Sequence, residues 1–183
     1  MGALSLEPPR EEKPAVGKKK RWIPRKYGCA ELDTASKESL KQCIRSLGYE
    51  VEENRVTGTI NDAKILLTIQ DSVHLTTFPP IEFSDTNTDF MKHNGSIVTL
   101  QITGVGVTED FICFEVSLGK DKEGRFIVPC DNGEVIHKGL IPHITFAMNK
   151  TSGTKLAAKD SPTALKDMVS IEPLTLTATL EVH

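Results

Sequence analysis

Ser72-Val73-His74-Leu75-Thr76-Thr77-Phe78 is the stretch from which the rest of the chain can be read. Pro142-His143-Ile144-Thr145-Phe146 repeats its pattern near the other end. Both runs read His, apolar residue, Thr, and both are rich in residues that suit strands. In a strand, residues i and i+2 share a face. His74 and Thr76 therefore point one way, with Val73, Leu75 and Thr77 pointing the other. His143 and Thr145 likewise share a face, backed by Ile144 and Phe146. Each strand offers one imidazole and one hydroxyl to a common side. Two such strands facing each other make a four-residue site with no metal-ligand set and no nucleophilic Ser or Cys.

The surroundings fit a single domain with a tail. The chain has 183 residues and a formal net charge of −3, enough to bury a sizeable core. That charge gives no polyanion-binding signature over the whole molecule, although one nucleotide end needs only a local positive pocket. No run reaches the length of a membrane span and no secretory h-region follows Met1. The myristoylation pattern fails because Leu6 stands where Ser or Thr is needed. Cys29, Cys43, Cys113 and Cys130 form no CxxC pair. They read as reduced, partly buried thiols of a cytoplasmic or nuclear protein.

Residues 1–21 are rich in Pro, Glu and Lys and lack apolar periodicity, so they read as a disordered tail ahead of a domain over 22–183. Within the tail, Lys18-Lys19-Lys20-Arg21 reads as a solvated charge run, with a nuclear address or a phosphate contact as the alternative. A first strand is expected over 25–32. Asp33 or Thr34 then caps a helix over 34–47, with Leu40, Cys43, Ile44 and Leu47 as its buried stripe and Gly48 as its stop. Ala63 to Ile69 gives a strand, and a polar loop is expected over 84–95. Ile97 to Val107 and Phe111 to Leu118 read as a hairpin turning at Thr108-Glu109-Asp110. Gly119 to Gly124 is a turn and Arg125 to Val128 a strand. A loop holding Asp131-Asn132-Gly133 then leads to the second motif. A polar loop over 149–154, a short helix over 163–168 and a strand over 174–182 complete the chain. Short connections favour antiparallel pairing. His93 and His137, in polar loops without a matching Thr, are expected to be exposed. No GxxxxGK[ST] loop occurs, which argues against an NTPase.

Two imidazoles across a pocket can act as a base and an acid near neutral pH. The neutral ring takes a proton from water while the charged ring protonates a leaving oxygen, and each role is typically worth about 10²–10⁴ in rate. The two Thr hydroxyls would hydrogen-bond non-bridging phosphoryl oxygens. A phosphodiester matches this arrangement. A cyclic phosphate on vicinal hydroxyls suits it especially, because the ring already fixes the in-line approach.

The paired motifs Val73-His74-Leu75-Thr76-Thr77 and Ile141-Pro142-His143-Ile144-Thr145-Phe146 resemble those of the 2H phosphoesterases. The chain is most similar to the cyclic nucleotide phosphodiesterase domains and their relatives in fungal and plant tRNA ligases. Ile97 to Thr103 and Lys26-Tyr27-Gly28 resemble the strand between the motifs and the opening strand of that family. The resemblance implies an α+β, two-lobed fold, with antiparallel sheets flanking a central cleft and helices outside. It implies cofactor-free and metal-free hydrolysis of 2′,3′-cyclic phosphates to 2′-phosphates by a monomer. The substrate would be a nucleotide or an RNA 3′ end, with no membrane partner. His143 would activate the water and His74 would protonate the leaving 3′-oxygen, an assignment that is reversible on sequence grounds. Thr76 and Thr145 complete the implied catalytic set.

By strand parity Phe78 shares the face of His74 and Thr76 and is a candidate contact for base or ribose. Tyr27 is a further stacking candidate. Some relatives carry Arg two places before the second His, where Ile141 stands here. The basic contact is therefore absent or falls to Lys138, Lys150 or Lys155. Two other expectations stay open: an RNA-end binding module that turns over poorly, and a phosphodiesterase acting on 2′,5′-linked oligonucleotides.

Overall fold

A computed structural model of the protein describes residues 27–78, 88–139, 141–151 and 157–183. The expected tail over 1–21 and Lys155 lie outside the described residues. The strands are β1 (Gly28–Leu32), β2 (Glu50–Val51), β3 (Arg55–Ile60), β4 (Ala63–Ile69), β5 (His74–Phe78), β6 (Ile97–Val107), β7 (Phe111–Ser117), β8 (Gly119–Lys120), β9 (Phe126–Cys130), β10 (Gly133–Ile136), β11 (His143–Met148) and β12 (Val169–Val182). The helices are α1 (Thr34–Ser46), α2 (Thr88–Lys92) and a 3-10 helix (Ala158–Asp167).

Local chemistry sets the boundaries. Asp33 caps α1: its Oδ1 accepts the Ser36 N–H at 2.7 Å, satisfying one of the first-turn donors. Leu40 and Ile44 are fully buried one turn apart, whereas Cys43 and Leu47 lie at the edge of that stripe. The β3–β4 hairpin turns on Asn61 and Asp62, both with positive φ (49° and 69°). A two-residue loop needs that hand to match the twist of its strands. At the β6–β7 turn the Thr108 hydroxyl oxygen accepts the N–H groups of Asp110 and Phe111.

The pairing departs from the expected α+β, two-lobed architecture. β1 pairs with β12, β12 with β6, β6 with β7, β7 with β11, β11 with β5, and β5 with β1, all antiparallel. These six strands close a ring. β4, β3 and β2 continue outward from β11, and β9 with β8 and β10 is attached to β6. The protein is thus mostly sheet, a closed six-stranded antiparallel barrel with extra strands, and not two lobes flanking a cleft. Closure removes sheet edges that an open arrangement would expose.

Several expected element limits also shift. β12 starts at Val169 rather than at 174, its pairing with β6 irregular between Ser170 and Leu174 where Pro173 cannot donate to the ladder. The expected helix over 163–168 is a longer 3-10 helix containing Pro162. α2 interrupts the expected loop over 84–95. Gly133 opens β10, which pairs back on β9.

The main core holds these layers together, including Leu40, Ile44, Leu75, Leu100, Phe114, Ile144, Phe146, Leu176 and Leu180, and a smaller cluster forms around Phe111, Cys113, Met148 and Ala164. Phe114 and Phe146 meet edge-on with ring centroids 5.6 Å apart, a favoured aromatic geometry. His137, expected at the surface, is buried at 6% exposure. Its loop is drawn in by the hydrogen bond from Lys138 N–H to the Thr77 carbonyl. No described helix is long and apolar enough to cross a membrane.

Candidate active site

β5 and β11 meet at a single register pair, Leu75 with Ile144. Both side chains are buried in the core. In antiparallel pairing the flanking residues fall opposite one another, so His143 stands beside Thr76 and Thr145 beside His74. A local two-fold axis through the Leu75–Ile144 pair exchanges His74-Leu75-Thr76 with His143-Ile144-Thr145. The two histidines occupy one diagonal of this patch, a relation that separates backbones by roughly 7–8 Å. The two threonines occupy the other. All four side chains are half-buried, on the face opposite the core.

The neighbouring registers extend this polar face around the ring. One row runs Thr179, Glu31, His74, and the next runs Glu181, Cys29, Thr76. On the other side of β11, Glu115 lies opposite His143 and Cys113 opposite Thr145. Glu115 Oε1 accepts the Thr103 hydroxyl at 2.8 Å. The 3-10 helix closes over this end, with Ser161 Oγ at 2.5 Å from Thr145 Oγ. It comes so near because Gly106 has no side chain: a Cβ there would sit 1.9 Å from the Ala164 carbonyl oxygen.

Hydrogen bonds fix both ring tautomers. His143 Nδ1 lies 2.6 Å from the Ile141 carbonyl oxygen, which can only accept, so Nδ1 carries the proton. His74 Nδ1 lies 2.8 Å from Ser72 Oγ, and the Ser72 hydroxyl donates to Glu31 Oε1 at 2.5 Å. The Ser72 proton is thereby committed to the carboxylate, and His74 Nδ1–H donates to the Ser72 lone pair. Both rings keep Nε2 for chemistry.

Burial holds His74 below the ordinary imidazole pKa; Glu31 and a bond to the Ser72 backbone oppose this, while His183 and His143 push further down. His143 is also held low by burial, partly offset by the Ile141 carbonyl.

The other candidates sit as follows. Tyr27 is beside the site, its ring centroid 5.7 Å from His74 and 5.5 Å from His183. Phe78 is 1% exposed, with its ring edge against Phe90 at 5.4 Å. The strand parity that would place it with His74 breaks at the irregularity opposite Gly28 and Cys29. Its ring belongs to the core. Lys138 is exposed but anchored through its N–H to β5, and Gly139 allows that loop to approach the Thr76 carbonyl. Lys150 is exposed beyond the far end of β11.

Sequence reasoning missed Glu31, Ser72, Ser161 and His183. Ser72 carried a usable signal, lying two places before His74 and so on its side of the strand. The other three reach the site only through distant pairing. Among the described residues two groups bring possible metal ligands together, Cys29 with Glu31 and His74, and Glu31 with Glu181 and His183. Their atoms are engaged with one another: Glu31 with Ser72, and His183 Nε2 with Glu181 at 3.0 Å. The Cys29 thiol is pushed up to about 12 by burial, with Glu31 and Glu181 adding to the shift. It is a reluctant thiolate.

No protein-family model and no curated protein matches this chain.

Proposed function

We propose that the protein is a phosphodiesterase of the 2H type, hydrolysing a 2′,3′-cyclic phosphate to a 2′-phosphate with two histidines and no metal. The observation that carries this reading is the Leu75–Ile144 register pair. It makes two imidazole–hydroxyl couples neighbours on one polar face, each ring with Nε2 unclaimed by its fixed Nδ1 bond. Neutral His143 takes a proton from water through Nε2, and the water oxygen forms its bond to phosphorus. The bond from phosphorus to the 3′-oxygen breaks, and protonated His74 gives that oxygen its proton. Thr76 and Thr145 donate to the non-bridging oxygens, where charge builds up. Ser161, whose hydroxyl donates to Cys113 Sγ, holds Thr145 in place through the contact between their hydroxyls.

Incubation with 2′,3′-cyclic nucleoside monophosphate in excess EDTA tests this. Chromatography should resolve a nucleoside 2′-phosphate as sole product. A 3′-phosphate product would reverse which oxygen leaves. Binding without turnover would favour an end-binding module, and activity confined to 2′,5′-linked oligonucleotides would replace the cyclic substrate.

A further inference from the structure

The two motifs are equivalent by symmetry but not in what stands behind them. Each ring bonds the backbone two residues before it, His143 at Ile141 and His74 at Ser72, but His74 also meets a hydroxyl already bonded to a carboxylate. The same Glu31 oxygen lies 3.5 Å from His183 Nε2. His183 is held in place by paired backbone bonds with Tyr27, at 3.0 and 2.9 Å. Its ring centroid is 6.0 Å from that of His74. We propose that Glu31, acting through the Ser72 hydroxyl, is a positioning residue that sets the charge of His74, and that His183 competes for the same carboxylate. This deepens the hydrolytic reading above and rests on it for its kinetic consequence.

The groups facing His74 are few enough to name. Tyr27 precedes β1, which supplies Cys29 and Glu31. β12 supplies Glu181, His183 follows its end, and β11 supplies His143. Glu31 favours the His74 imidazolium directly and through the polarised Ser72 hydroxyl. A charged His183 disfavours it, both by repulsion and by drawing on Glu31. Removing Glu31 and removing His183 therefore act on His74 with opposite signs. A merely structural role for either residue would not produce that pattern.

The test is ring 1H–15N spectroscopy of the full chain across pH, which reads each histidine without any substrate. Glu31→Gln should lower the His74 pKa by about one unit, the lower end for loss of a close carboxylate. His183→Ala should raise it. Ser72→Ala should lower it less, because the bond to the Ser72 backbone remains, and Ser72→Thr should restore it. His143 should move in none of them. His74 titrating alike in Glu31→Gln, Ser72→Ala and wild type overturns the proposal, and so does His143 shifting as far as His74. Ser72→Ala retains the test if Glu31→Gln does not fold. Kinetics separate the two claims. In active protein, Glu31→Gln should move the alkaline limb of kcat/KM to lower pH together with His74. Ring titrations that behave as stated in a protein without turnover support the positioning role and remove the hydrolytic reading. Turnover with unmoved titrations does the reverse.

Discussion

Leu75 and Ile144 face each other across β5 and β11 on the local two-fold axis that relates the two His-x-Thr motifs. Their burial locks the register. A slip by one residue would turn every motif side chain into the core. The site is therefore held by the same contacts that hold the barrel.

If both rings serve one reaction, their loss is not multiplicative. His74→Ala and His143→Ala should each reduce kcat by about 10²–10⁴. The double variant should fall little below the weaker single one, because residues that act as a unit are strongly non-additive. Steady-state kinetics on a 2′,3′-cyclic mononucleotide measures this. Losses that multiply would indicate that the rings act separately.

Burial depresses both histidines below the ordinary value of about 6.5. The maximum of kcat/KM, lying between the two apparent values, is expected on the acid side of that pH. Stability follows the same shift. The unfolded chain binds more protons as pH falls through this range, so stability from keeping the rings neutral is present above about pH 6.5 and lost below it. Urea midpoints should drop between pH 7.5 and 5. The drop should shrink in His143→Ala.

Gly106 is where the 3-10 helix touches β6. Gly106→Ala sets a methyl against backbone that cannot rotate away, at an expected cost of about 2 kcal/mol. Because Ser161 rides on that helix, the Thr145–Ser161 contact should loosen and kcat should fall. Denaturant unfolding and kinetics on the same variant check both effects. Gly119→Ala, with open space around it, is the control.

Thr77 is fully buried and its hydroxyl has no hydrogen-bond partner among the described residues. Such a group carries a desolvation cost of about 1–3 kcal/mol. Thr77→Val keeps the branched shape and removes the hydroxyl, so stability should rise by about 1 kcal/mol. A decrease in the unfolding midpoint would mean that the hydroxyl is satisfied.

The alternation of His74 to Thr77 and His143 to Phe146, the Asp33 cap and the β6–β7 turn were legible because each depends on neighbours in sequence. Ring closure was not. It comes from β1 pairing with β12 and β5 with β11, and no local pattern encodes partners more than a hundred or about seventy residues away. Pro173 hid the first turn of β12 by breaking the alternation. Phe78 was misplaced for a related reason: the bulge that redirects it is set by the pairing with β1. Glu31 stayed invisible because only the register places it against Ser72 and His74.

The claim that both motifs converge on one phosphorus is tested most directly by titrating the protein with a nucleoside 2′-phosphate in EDTA while following the ring signals of His74 and His143. The account predicts that both respond along one saturation curve, each with its pKa raised by the bound anion. A response from one ring alone, or from neither at saturating ligand, would contradict it.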